Sequence, residues 1–269
     1  MLRKLLKYEF KATSRILLPL YGALLIFALI NKIFFFGTSP LKNVNFEFLH
    51  GIPAAISIFT YGATMAAVFI VTIFIIIQRF YKNLLGDEGY LMNTLPVSIS
   101  SNISSKLISA IVWSLISIFV AVLSIIIMVY TREGFNTFLS NISNIFSKIY
   151  TDTGISTILV GIEFLIAGLF QLALNITLIY ASISIGHLLP KMKILGSFGA
   201  FIALIVIMNT VLSTIMFIGS KIIPNIELSL STVTLTHLFA IGTILINAIW
   251  FIIFFLITRY ILKNKLNLE

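Results

Sequence analysis

The chain has no cysteine, which excludes disulfides, iron–sulfur ligation and thiol chemistry. Charge is nearly as scarce. Only 10% of the 269 residues are Asp, Glu, Lys or Arg, against about a quarter in soluble domains. Hydrophobic residues make up 59%, and a mean hydropathy of +1.10 makes lipid the solvent. No GxxxxGK[ST] run occurs, so the chain carries no loop able to cradle nucleotide phosphates in the Walker manner. Acidic groups are almost missing from the apolar stretches. Glu163 alone lies inside one, which leaves no clustered carboxylate, imidazole and nucleophile machinery for an intramembrane hydrolase. The three histidines, His50, His187 and His237, fall in or beside different loops on opposite sides, so no shared metal site is expected.

What the sequence does have is six apolar stretches, at about 16–36, 54–77, 107–130, 157–185, 194–218 and 235–257. Each is long enough to cross a hydrocarbon core about 30 Å thick, which takes about 20 helical residues. The runs are continuous and do not alternate in polarity, so helices are predicted and barrel strands are not. The expected fold is therefore an all-α integral membrane protein of six transmembrane helices, with no sizeable soluble domain. The first stretch is too long for a signal-peptide core and lacks a convincing cleavage site, so it reads as a retained span.

The formal charge of +9 does not point to nucleic acid, because the basic residues gather at span ends and not on one soluble face. Their distribution sets the topology instead. Thirteen lie on one side, from Arg3 through Arg79, Lys82, Lys106, Lys191 and Lys193 to Lys265; only Lys32, Lys42, Arg132, Lys148 and Lys221 lie on the other. The positive-inside rule then places both termini in the cytoplasm, in a multi-pass protein of the cell's inner (cytoplasmic) membrane.

Two connecting segments are amphipathic. In residues 1–15, Lys4, Lys7, Lys11 and Arg15 share one helical face while Leu2, Leu5, Leu6 and Phe10 gather opposite, as expected of a helix lying on the inner leaflet. Residues 134–150 place Phe135, Phe138, Leu139, Ile142, Ile145, Phe146 and Ile149 at helical spacing, which predicts a second interfacial helix on the outer surface.

Polar groups within the spans are few. Glu163, Gln171 and Asn175 follow one another along a drifting stripe of the fourth span, where they would face a cavity or bond to a neighbouring helix. Lys32, near the outer end of the first span, reads as a snorkelling residue or as a partner for Glu163. Small residues mark close helix contacts. Ala110, Ser114, Ser117, Ala121 and Ser124 recur at steps of four and three in the third span, while Gly196, Gly199, Ala200, Ala203, Asn209 and Ser213 mark the fifth.

The loop after the second span is too patterned for a connector. It offers Tyr81, Lys82, Leu84 and Leu85, a bend permitted by Gly86 and Gly89, Asp87 and Glu88 at the tip, then Tyr90, Leu91 and a Thr-Leu-Pro exit at Pro96. This run, the opening Leu5-Leu6-Lys7-Tyr8-Glu9-Phe10-Lys11 and the six-span layout resemble the permease subunits of bacterial type-2 ABC exporters, notably small ones of the peptide-export or immunity type. The resemblance covers nearly the whole chain. It implies that residues 81–95 form a coupling segment touching a cytosolic ABC ATPase, with ATP and Mg bound on that partner and no cofactor held here. It further implies a second permease, identical or related, enclosing the path with this one. Residues 219–234 would be the outward hairpin of such a permease, though they carry no motif. The cargo expected is amphipathic, a peptide toxin or antimicrobial peptide, which suits spans with so little charge. A substrate-capture subunit of an energy-coupled importer and a secondary transporter are the alternatives, and the first of these should lack the Gly-Asp-Glu-Gly-Tyr lever.

Overall fold

The computed structural model describes residues 2–36, 52–86, 89, 97–129, 132–154, 156–189, 191–222 and 231–265. They form seven helices and, among the described residues, no strand: α1 (Leu2–Phe36), α2 (Ile52–Leu84), α3 (Ile99–Val129), α4 (Arg132–Thr153), α5 (Ser156–Gly186), α6 (Lys193–Ile222) and α7 (Thr232–Asn264). All but α4 are long and apolar enough to cross a membrane, so the chain is a multi-pass helical membrane protein. The helices outrun the apolar stretches of the sequence. Hydropathy marks only the part that needs hydrocarbon, whereas helical hydrogen bonding continues wherever no proline or cap interrupts it.

That difference corrects the reading of the N-terminus. Residues 1–15 were expected as a separate surface helix, but α1 runs unbroken from Leu2 to Phe36, with Pro19 inside it. Pro19 removes one backbone donor without ending the helix, as transmembrane helices tolerate. One buried stripe, Glu9, Thr13, Leu17, Tyr21, Leu24, Ala28 and Asn31, continues across the expected boundary at steps of four and three. The basic first turns are thus the start of a packed helix.

Helix α4 occupies the expected position of the outer-surface helix and is exposed along almost its whole length. It ends at Gly154, whose φ of 60° is the left-handed conformation glycine adopts without strain; the Gly154 amide donates to the Tyr150 carbonyl at 2.7 Å.

The chain divides into two compact units. The first contains residues 1–76 and 108–148. Its core joins Leu17, Tyr21, Leu24 and Ala28 of α1 to Tyr61, Val68 and Ile75 of α2 and to Trp113 and Val120 of α3. The heptad spacing of the α2 and α3 residues keeps one face against its neighbours. The small-residue seam of α3 does what its pattern implies: Ala110, Ser117, Ala121 and Ser124 are buried. The Tyr21 hydroxyl lies 2.7 Å from Ser117 Oγ, Thr72 Oγ1 lies 2.9 Å from the same oxygen, and Tyr61 reaches Ser124 at 2.9 Å. The small side chains let the helices approach, and their hydroxyls satisfy polar groups that lipid cannot.

The second unit contains residues 77–107 and 149–269 and is built around α5, which packs most extensively on α7 and then on α6. From Ala173 to Gly186 nearly every α5 side chain is buried. Its hydroxyls do not obstruct this, because Thr177, Ser182 and Ser184 donate to carbonyls one turn back at 2.7–2.8 Å. Leu174, Leu178 and Ala181 meet Phe254 of α7, with Phe201, Leu204, Ile205 and Met208 of α6 packed alongside.

Candidate functional site

The second unit holds two side-chain clusters, one at each end of α5. The first begins at the end of α2, where the Leu85 and Gly86 amides both donate to the Tyr81 carbonyl, at 3.0 and 2.8 Å. The Gly89 amide donates to the Gly86 carbonyl at 2.8 Å.

The start of this connector is clamped to α5. Phe80 is fully buried and stacks on Tyr180 with ring centroids 4.0 Å apart and planes 10° from parallel. One residue on, Tyr81 lies 6.0 Å from the His187 ring, just beyond the end of α5. Burial holds the His187 imidazole below its ordinary range and Lys193 pushes the same way, partly opposed by backbone hydrogen bonds to Leu85 and to His187 itself. Leu84 and Leu85 are each 3% exposed. This corrects one expectation: both were read as apolar contacts for an outside partner, but both side chains are buried within the chain. Tyr81 and Lys82 do face outward. Asp87, Glu88, Tyr90 and Leu91 lie outside the described residues.

The turn from α5 to α6 is held by close backbone approach. Leu188 and Leu189 donate to Ile185 and Gly186 at 3.0 and 3.1 Å, bringing Gly186 against Ser197 and Gly196. A Cβ at Gly186 would collide with the Ser197 backbone, and one at Gly196 would crowd the Leu189 side chain.

The second cluster lies at the opposite end of α5. Glu163 Oε1 and Oε2 are each 2.9 Å from His237 Nδ1 on α7. A carboxylate only accepts, so Nδ1 carries the proton and donates. Both side chains are about one-fifth exposed. Ser231 caps α7, its hydroxyl accepting from the Thr234 amide at 3.3 Å. Sequence reading placed His237 in or beside a loop and considered Lys32 for Glu163; the partner in the structure is His237.

The rest of the α5 stripe is exposed, with Gln171 Nε2 donating to Asn175 Oδ1 at 3.1 Å. Glu163 is thus joined to α7 while Gln171 and Asn175 are joined to each other. No three His, Asp or Glu among the described residues lie close enough to share a metal ion. Comparison with family models, with curated protein sequences and with solved structures finds no match to the chain.

Proposed function

We propose that the chain is the membrane-spanning subunit of an ATP-driven exporter whose ATPase is a separate polypeptide. The observation that carries this reading is the clamp at the end of α2. A connector that only joined two spans would have no need of a fully buried Phe80 stacked on Tyr180, a Tyr81–His187 contact and two buried leucines. Such a clamp makes the connector and the end of α5 move together. A push on the connector from a cytosolic partner then enters α5 and is carried along a rod about 25 Å long to Glu163 and His237.

In this reading Tyr81 and Lys82 face the ATPase together with Asp87, Glu88, Tyr90 and Leu91, while Leu84 and Leu85 transmit the load inward. ATP and Mg belong to the ATPase, in keeping with a sequence that has no phosphate loop. Two six-helix halves enclose the path, and the cargo is an amphipathic peptide.

The test is to express the chain with a candidate soluble ABC ATPase and extract it in mild detergent. The reading expects the ATPase to copurify, a complex mass with two six-helix subunits, and no nucleotide hydrolysis by the chain alone. Hydrolysis by the purified chain, or transport by a complex with one six-helix subunit, contradicts it.

A further inference from the structure

The first turns of α1 carry Arg3, Lys4, Lys7, Lys11 and Arg15, and all five side chains are exposed. At the helical step they fall within an arc of about 120° and along about 18 Å of helix. None of the five charged groups has a partner among the described residues. Glu9, the one acidic residue of this stretch, points to the far side and is buried.

The apolar side of the same turns is already occupied. Leu5, Leu6 and Phe10 are partly buried, and Phe10 packs on the core of the first unit with its ring 6.2 Å from that of Trp113. A helix lying on a leaflet holds itself there through an apolar face. Here that face is spent within the chain, and the face left outward is cationic. Past Arg15 the same outward face continues as Leu18 and Leu29, 58% and 49% exposed, inside a helix long and apolar enough to cross a membrane. Leucines so exposed in a span meet acyl chains, so cations one to three turns before Leu18 meet the headgroups at that end of the span.

We propose that this stripe is a binding surface for anionic phospholipid headgroups in the leaflet where α1 begins. Charge selects the occupant. A zwitterionic headgroup brings its own ammonium beside its phosphate, whereas an anionic one brings net negative charge to a cluster that has no counter-charge of its own, as basic clusters flanking a span attract. With no apolar face to insert, attachment is electrostatic and weakens with salt. Lys7, Lys11 and Arg15, spread over about 12 Å and nearest the level of Leu18, carry most of it. Lipid binding of this kind is independent of the exporter reading.

The test uses the purified full chain in vesicles of phosphatidylcholine and phosphatidylglycerol, without an ATPase. Leu18→Trp places a tryptophan on the lipid-facing side just beyond Arg15, and quenching by lipids with brominated acyl chains reports which lipid lies beside it. Emission from the two native tryptophans is subtracted using the unsubstituted chain. Brominated phosphatidylglycerol is expected to be favoured over brominated phosphatidylcholine by about threefold to tenfold at low salt, and by less than about twofold in about 0.5 M salt. Lys7→Gln, Lys11→Gln and Arg15→Gln together are expected to remove the preference while quenching by brominated phosphatidylcholine stays unchanged, which shows that the variant is inserted. Lys7→Arg, Lys11→Arg and Arg15→Lys together keep the charges and are expected to keep the preference. Equal quenching by the two lipids at low salt, the outcome of a stripe that serves an acidic protein surface, overturns the proposal; so does a preference that survives the salt or the loss of the three charges. The salt comparison needs no substitution in the stripe, so it decides the matter even where the triple variant fails to insert.

Discussion

At the scale of single residues, the two imidazoles in the second unit face different demands. His237 donates through Nδ1 to Glu163, and the geometry requires an acceptor more than a charge. Glu163→Gln keeps an acceptor oxygen, so its export activity is expected to stay within about tenfold of wild type. Glu163→Leu strands the His237 nitrogen and is expected to cost about 1–2 kcal/mol, read as a lower melting temperature in detergent. Equal damage from Gln and Leu would mean that the carboxylate charge is what matters. His187 behaves otherwise, because burial and Lys193 hold its imidazole below the ordinary value. A depressed histidine favours the neutral form in the folded chain, so its contribution is present above about pH 6.5 and is lost as pH falls below that. Hydrogen exchange over residues 80–86, corrected for the intrinsic pH effect, should show protection falling as pH drops below about 6.5. His187→Gln should remove the trend. Protection independent of pH in the wild-type chain would contradict the assignment.

At the scale of elements, the turn between α5 and α6 is the most tightly constrained joint in the second unit. Gly186 has no room for a methyl group because the Ser197 backbone occupies the place, and backbone cannot move aside as a side chain can. Gly186→Ala is expected to destabilise by about 1–3 kcal/mol or more and to loosen the clamp at His187 next to it. Thermal unfolding checks the first effect and exchange at residues 80–86 the second; an unchanged melting temperature would contradict the close approach. Sequence periodicity was enough to find the six spans, the α3 seam and α4, because each is a repeat along one helix. It could not show that residues 2–15 continue into the first span, since amphipathicity describes faces and not breaks. Nor could it tell that Leu84 and Leu85 turn inward. Apolar residues beside a loop read the same whether they meet a partner or are buried within the chain, and only their burial in the structure decides between them.

At the scale of the whole molecule, a multi-pass membrane chain grips the start of its own connector at Phe80 and Tyr81, and the proposed function has the rest of that connector meet a partner. Composition made the membrane legible at once, and the missing phosphate loop pointed to a second polypeptide. The Glu163–His237 pair was not legible, because it joins residues 74 apart in sequence on different helices. The most direct measurement is therefore made at the connector tip. Asp87→Lys with Glu88→Lys reverses two charges predicted to face the ATPase, where partly desolvated like-charge contacts cost several kcal/mol and solvated ones less than about 1 kcal/mol. The double variant is expected to insert at wild-type levels yet lose ATPase copurification and cargo-stimulated hydrolysis. Copurification and export both unchanged from wild type would contradict the account.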